Sequence, residues 1–267
     1  MTGRRLDVEL VARGLARSRT QARELVAAGV VLVDGRPATK AAQHVDDGSA
    51  LELTREPDRW VGRAALKLLH AVQQWPIEVA GRRCLDVGAS TGGFTQVLLE
   101  HGAAHVTALD VGHGQLVTSI AANDRVRDLP GTNIRDVDAE ALGGQYDLVV
   151  SDLSFISLAI ALPAMRPLVT DAGDLVVLVK PQFEVGRERL SRTGVVTSRH
   201  EHRRVLRDVA GVAAEQGLHL HGAAASPITG GDGNREFLFW LAPRPVPGAS
   251  PTSTDDMLEA IDLEGDS

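Results

Sequence analysis

Arg83-Cys84-Leu85-Asp86-Val87-Gly88-Ala89-Ser90-Thr91-Gly92-Gly93-Phe94-Thr95 is a short apolar segment carrying one acid, then three glycines, then the start of an amphipathic run. This reads as a strand (Arg83 to Val87) that turns sharply into a helix, with glycines where the backbone must come close to something else. Phe94, Val97 and Leu98 fall on one side of the helix and carry it into a core. Ser90 and Thr91 also suit the helix start, where a hydroxyl can bond a free backbone N–H. In an open α/β sheet, such a turn is where a ligand is held.

The ligand is constrained by what the turn lacks. A dinucleotide loop needs G-x-G-x-x-G, whereas this chain has D-x-G-x-x-x-G-G, which disfavours NAD. An acid on the loop repels a pyrophosphate and suits an amino-acid moiety, pointing to S-adenosylmethionine. Asp110 lies some twenty residues on, where an acid can hold ribose hydroxyls.

Outward from this turn, strands are expected at Arg83 to Val87, Val106 to Asp110, around Val126, and at Leu148 to Ser151, Leu175 to Lys180, Leu218 to Ala223 and Glu236 to Leu241. Helical stretches separate them, so the region from residue 64 to 243 predicts a doubly wound α/β sheet with its ligand at the carboxyl ends of the strands. Gly173-Asp174-Leu175-Val176-Val177-Leu178-Val179-Lys180-Pro181-Gln182-Phe183 delivers a lysine from five consecutive apolar residues to a proline that ends the strand. Burial disfavours the ammonium form, so Lys180 is a candidate base. Lys67 lies on the helix before the first strand, Asp152 just beyond the fourth, and Glu236 at the start of the last. If these meet, Lys67 can act on Lys180 by like-charge repulsion and stabilise a developing alkoxide, while the two carboxylates orient the amines.

Residues 1–56 form a separate α-then-β module. Leu6, Leu10 and Val11 share a helical stripe; Ser18 with Gln21 gives a capping-box start; Ala22, Leu25 and Val26 face inward on a helix ending at Gly29. Val30 to Val33 and Ala50 to Leu53 read as strands, with Asp34-Gly35 a type I′ turn. The net charge of −7 is unevenly spread. Residues 1–40 hold eight bases against four acids, whereas residues 244–267 hold one base and six acids. The basic end, with Arg4, Arg5, Arg17, Arg19 and Arg23 around the helices, suits phosphate contacts. Residues 57–63 read as a linker, and residues 244–267 as an acidic, disordered tail with a short helix around Met257.

One cysteine, Cys84, excludes an internal disulfide and is expected to be a buried structural thiol. Neither a signal-peptide core nor a membrane-length apolar run is found, so a cytoplasmic protein without membrane contact is expected. His200-Glu201-His202 and His219-Leu220-His221 read as surface histidines rather than metal ligands.

The run Arg5-Leu6-Asp7 through Arg17-Ser18-Arg19-Thr20-Gln21-Ala22 to Val33-Asp34-Gly35 resembles the S4 RNA-binding domain. The Lys, Asp, Lys, Glu order, with Asp152-Leu153-Ser154-Phe155-Ile156-Ser157 and Lys180-Pro181-Gln182-Phe183-Glu184, resembles the TlyA (hemolysin A) family, which joins an S4 domain to an FtsJ-like ribose methyltransferase. That resemblance implies a Rossmann-like class I methyltransferase fold: a seven-stranded, mostly parallel sheet with helices on both faces. It implies Lys180 as base, with Lys67, Asp152 and Glu236 completing a tetrad. Asp86, Gly88, Ala89, Ser90, Thr91, Gly92, Asp110 and Asn133 would contact S-adenosylmethionine. The implied substrates are cytidine 2′-hydroxyls of small- and large-subunit rRNA, with no metal, and relatives are linked to capreomycin susceptibility. Arg63-Ala64-Ala65-Leu66-Lys67 departs from the family in having alanine where relatives usually carry glycine.

Other readings fit less well. A base N-methyltransferase of the Asp/Asn-Pro-Pro-aromatic type lacks both prolines here, and a C5-methyltransferase lacks its strand-end cysteine. A non-catalytic RNA-binding factor leaves the lysine pair without a purpose, and a lytic protein lacks any inserting segment.

Overall fold

The computed structural model describes residues 3–16, 19–55, 59–186, 188–245 and 254–263. The chain divides into two compact units, Met1–Arg59 and Trp60–Ser267.

The larger unit is built on seven strands: β1 (Arg83–Val87), β2 (His105–Asp110), β3 (Val126–Pro130), β4 (Tyr146–Ser151), β5 (Val169–Val179), β6 (His219–Ala225) and β7 (Phe237–Ala242). Their order across the sheet is β3-β2-β1-β4-β5-β7-β6. Neighbours from β3 to β5 run parallel, and β7 is antiparallel to both β5 and β6. All seven expected strands are present in the expected class of fold. β5 begins at Val169, upstream of the expected Leu175, because its pairing with β4 is irregular between Val169 and Asp174. There Thr170 to Gly173 imitate a turn in sequence while continuing the strand.

Alternate residues of the strands feed two cores. Leu85, Val149, Val177 and Phe239 face one side, together with α4 (Leu158–Met165) and α6 (Arg199–Glu215). Cys84, Leu148, Val176 and Leu238 face the other, together with α1 (Ala65–Gln74) and α2 (Gly93–Glu100). Strands buried on both faces have near-continuous apolar sequences, as Leu175 to Val179 does. Two short helices complete the sheet edge, α3 (Thr118–Ala121) and α5 (Pro181–Glu184).

Two segments depart from their sequence reading. Residues 60–63, expected in the linker, belong to the larger unit: Trp60 and Val61 pack on the α1–α2 core, and the Val61 N–H bonds the Gln96 side chain. Of the remaining linker, residues 57 and 58 lie outside the described residues. The expected disordered tail contains the anticipated helix, α7 (Thr254–Glu259), and that part is packed: Leu258, Ile261 and Leu263 are buried in the α6-side core. Arg203 of α6 donates to the carbonyls of Leu258, Glu259 and Ile261, which the end of α7 leaves free. Acidic composition hid three well-spaced apolar residues.

In the smaller unit, helices Leu6–Ala12 and Arg19–Ala27 bury Leu6, Leu10, Ala22, Leu25 and Val26, as their spacing predicts. Val31–Val33 pairs with Arg36–Pro37 and Leu51–Leu53. Asp34 and Gly35 both have positive φ (50° and 75°), as a type I′ turn requires. A pairing of Arg4–Arg5 with His44–Val45 was not anticipated, since two-residue strands leave no periodic signal. The expected Ser18 cap lies outside the described residues.

Candidate active site

Strand register brings the site together. Val87 is level with Leu109 on one side and Ser151 on the other; Ser151 is level with Val177, and Val179 with Phe237. Asp110 ends β2, while Asp152 and Lys180 are the residues following β4 and β5. Because β7 is antiparallel, the residue preceding it, Glu236, reaches this same edge. Lys67 arrives from the first turn of α1, whose start is pressed against that of α2. A Cβ on Gly93 would lie 3.0 Å from the Ala65 nitrogen, so this approach needs glycine. Ala64 has φ −55°, a helical conformation that alanine adopts without strain.

The four residues form an alternating chain of charge. Lys67 Nζ is 2.6 Å from Glu236 Oε2 and 3.2 Å from Asp152 Oδ2, and Lys180 Nζ is 2.6 Å from Asp152 Oδ1. Lys180 also donates to Ser154 Oγ at 2.9 Å. Both lysines are only 6 % exposed, and Glu236 is buried. Buried ionisable groups persist when each has a partner, and here two amines meet two carboxyl groups. Asp152 lies between the lysines and pairs with both.

Beside this chain stands Phe155, 90 % exposed with φ +65°. A large side chain rarely accepts that backbone conformation or that exposure. Its ring is 5.2 Å from that of Phe183, which in turn lies 6.0 Å from Lys180 Nζ. Glu184 accepts from Ser157 Oγ at 2.5 Å and from the Leu158 N–H at 2.8 Å, tying the loop after β4 to the helix after Lys180. Sequence reasoning assigned no role to Phe155, Ser154 or Glu184; an aromatic set between serines just beyond a strand end was the available signal.

On the other side of β1, Asp86 is fully buried. Its Oδ2 accepts from Thr95 Oγ1 at 2.7 Å, while Oδ1 has no hydrogen-bond partner. Burial, only partly offset by the Thr95 bonds, pushes its carboxyl up to about 7. Asp110 accepts from the Ser90 and Gly112 N–H groups at 2.8 and 2.7 Å, and Ser90, at φ +47°, donates to Gln115. Gly88 and Gly92 have φ +85° and +94°, and a Cβ on Gly92 would lie 2.7 Å from Leu116. Ala89 is buried and Thr91 exposed. Gly92 occupies the cap position of α2 without a side-chain bond, so neither Ser90 nor Thr91 caps it. Asn133 is near because the Thr132 N–H bonds the Asp110 carbonyl; its amide oxygen accepts from Arg135 N–H and caps a short turn. An orphaned buried carboxylate oxygen, a second carboxylate and close-approach glycines fit a ligand with an amino group and sugar hydroxyls, as S-adenosylmethionine has.

In the smaller unit, the arginines share two carboxylates. Arg5, Arg19 and Arg23 all reach Asp7, at 3.0, 2.9 and 3.4 Å, while Arg4 and Arg13 reach Glu9. Asp7 is fully buried, and its bond from Arg5, helped by Arg19, holds its carboxyl far below the usual range. The side chains of Arg4, Arg19 and Arg23 are exposed, and that of Arg5 is partly so. Arg17 lies outside the described residues.

Cys84 is fully buried and burial pushes its thiol up to about 12, which suits a structural role. His202 is not a surface residue as expected: it is buried against Phe237 and bonded to the Val196 carbonyl. Among the described residues, no cluster of His, Cys, Asp and Glu could hold a metal, and no helix is long and apolar enough to cross a membrane.

Comparison with known proteins agrees with both units. Residues 60–242 match the FtsJ-like methyltransferase family and residues 4–51 the S4 domain. The 16S/23S rRNA (cytidine-2′-O)-methyltransferase TlyA of Mycobacterium tuberculosis is 51 % identical over 97 % of this chain and 94 % of its own length. The 23S rRNA (cytidine-2′-O)-methyltransferase TlyA of Campylobacter jejuni is 36 % identical over 73 % of this chain and 74 % of its own. A solved structure described as a hemolysin, from Streptococcus thermophilus, has 39 % identity and a TM-score of 0.71 over 97 % of this chain and 95 % of that one. Membership in a methyltransferase family implies S-adenosylmethionine as the methyl donor. With its FtsJ-like unit, its S4 unit and full-length similarity of this order, the chain belongs to the TlyA family of methyltransferases.

Proposed function

We propose that this chain methylates ribose 2′-hydroxyls of cytidines in 16S and 23S rRNA, with Lys180 as general base. The observation that carries the chemistry is the buried chain Glu236–Lys67–Asp152–Lys180 at the carboxyl edge of the sheet, next to Asp86 and Asp110. The substrate rests on the activity named for the Mycobacterium relative.

Lys180 takes the 2′-hydroxyl proton as that oxygen attacks, a step for which a positioned base contributes about 10²–10⁴-fold. Lys67, held by Glu236 and Asp152, stabilises the developing alkoxide. Asp152 and Ser154 aim the Lys180 nitrogen. S-adenosylmethionine, when bound, supplies an electrophilic methyl group on a sulfonium that departs as a neutral thioether. Asp86 and Asp110 would hold its amino group and ribose, with Gly88, Ala89, Ser90, Thr91 and Gly92 giving the backbone access and Asn133 closing the far side. The exposed ring of Phe155 offers a face on which the target base can stack. The S4 unit docks rRNA through Arg4, Arg5, Arg17, Arg19 and Arg23, and a ribosomal substrate places the protein in the cytoplasm.

The test is to incubate the protein with isotopically labelled S-adenosylmethionine and undermethylated small and large subunits, digest the rRNA, and identify the product nucleoside by mass spectrometry. 2′-O-methylcytidine from both subunits is expected. A methylated base would refute the ribose chemistry, and product from one subunit alone would refute the dual specificity.

A further inference from the structure

A base that is buried has to dispose of the proton it collects. Among the described residues, Lys180 Nζ has two polar partners: Asp152, itself enclosed between the lysines, and Ser154 Oγ at 2.9 Å. The charged groups beyond Asp152 are Lys67 and Glu236, both buried, and the remaining neighbour is the ring of Phe183. Ser154, in contrast, is exposed. A hydroxyl can accept a proton on its lone pair while releasing its own to a neighbour, which carboxylate-locked Asp152 cannot do without losing its hold on Lys67.

We infer that Ser154 is the proton outlet of the active site. After methyl transfer, Lys180 carries the substrate proton as an ammonium. The Nζ–H proton passes to Ser154 Oγ as the Ser154 hydroxyl proton passes to water or a buffer base, so that the amine and the serine hydroxyl are both restored. Ser154 is thus a positioning and relay residue, acting through Lys180. This rests on Lys180 being the base, and the experiment separates the two ideas.

The experiment measures multiple-turnover methylation of undermethylated ribosomal subunits by full-length wild type, Ser154→Ala, Ser154→Thr and Lys180→Ala, at fixed pH and ionic strength, over a series of concentrations of a small amine buffer. S-Adenosylmethionine binding is followed by calorimetry. Ser154→Ala should bind cofactor normally and show an unchanged KM for the subunits. Its kcat should fall about tenfold at low buffer, with an enlarged solvent deuterium isotope effect, and recover as buffer rises. Ser154→Thr, which keeps the hydroxyl, should behave as wild type. A Ser154→Ala enzyme with wild-type kcat, or one whose slow rate ignores buffer, would overturn the outlet while Lys180→Ala remained inactive. An active Lys180→Ala would instead overturn Lys180 as the base.

Discussion

Asp86 is the residue at which burial and binding conflict most sharply. Its carboxyl is raised from 3.8 to about 7, chiefly by burial, so the folded protein holds a proton that the unfolded chain has already released. Between these values stability must fall as pH rises, by up to about 1.4 kcal/mol per pH unit. Asp86→Asn should flatten this slope in urea titrations across pH 4.5 to 7 (roughly the window set by the two values) while weakening cofactor binding. Below pH 7, wild-type binding of a ligand with an ammonium group should release a proton, seen as a buffer-dependent enthalpy in calorimetry and absent in the asparagine variant. Asp152 presents the opposite case. It is the carboxylate shared by both lysines, so Asp152→Ala leaves Lys180 without its charged partner and should cost about 3–5 kcal/mol in denaturant unfolding, besides abolishing methyl transfer. A wild-type unfolding midpoint in that variant would show that the charge chain does not support the fold.

At the scale of elements, the loop after β4 and the helix after β5 behave as one piece because Glu184 of α5 supplies two bonds to the start of α4. Glu184→Ala removes an acceptor at a helix start, worth about 1 kcal/mol, and frees the segment that carries Asp152, Ser154 and Phe155. We expect faster hydrogen exchange over residues 153–160 and a higher KM for rRNA with little change in cofactor affinity. Glu184→Gln, which still accepts from the Leu158 N–H, should recover most of the loss. The strands and the glycine turn were legible because apolar runs and glycines act locally, and the tetrad because each member sits at a strand end or on the neighbouring helix. The Glu184 latch and the positive φ of Phe155 were not, since both depend on what the fold places opposite them. Composition also misled at Ile261 and Leu263: their acidic setting reads as solvated, but the α6-side core takes up their side chains.

At the scale of the whole molecule, the net charge of −7 belongs to the larger unit, since residues 1–59 hold ten bases against nine acids. The smaller unit presents five arginines on two carboxylates, and Asp7 at their centre fixes three of them at one point. Part of the acidity near the carboxyl end is consumed internally, where Arg207 meets Asp255 and Glu259. Charge reversal at Arg4, Arg19 and Arg23 should therefore weaken rRNA binding and flatten its dependence on salt, each lost phosphate contact lowering the slope by about 1. Cofactor affinity of the separate methyltransferase unit should be unchanged. An unaltered salt slope would remove these arginines from the docking surface.

The reversed direction of β7 has a consequence for how the enzyme comes into being. Because this strand enters the sheet from the catalytic edge, its leading residue, Glu236, joins the centre, and in chain order Glu236 comes after Lys67, Asp152 and Lys180. A growing chain can assemble the S4 unit and five parallel strands while Lys67 still lacks its nearest counter-charge. The centre is therefore incomplete in any chain that stops short of Glu236, whether nascent or truncated.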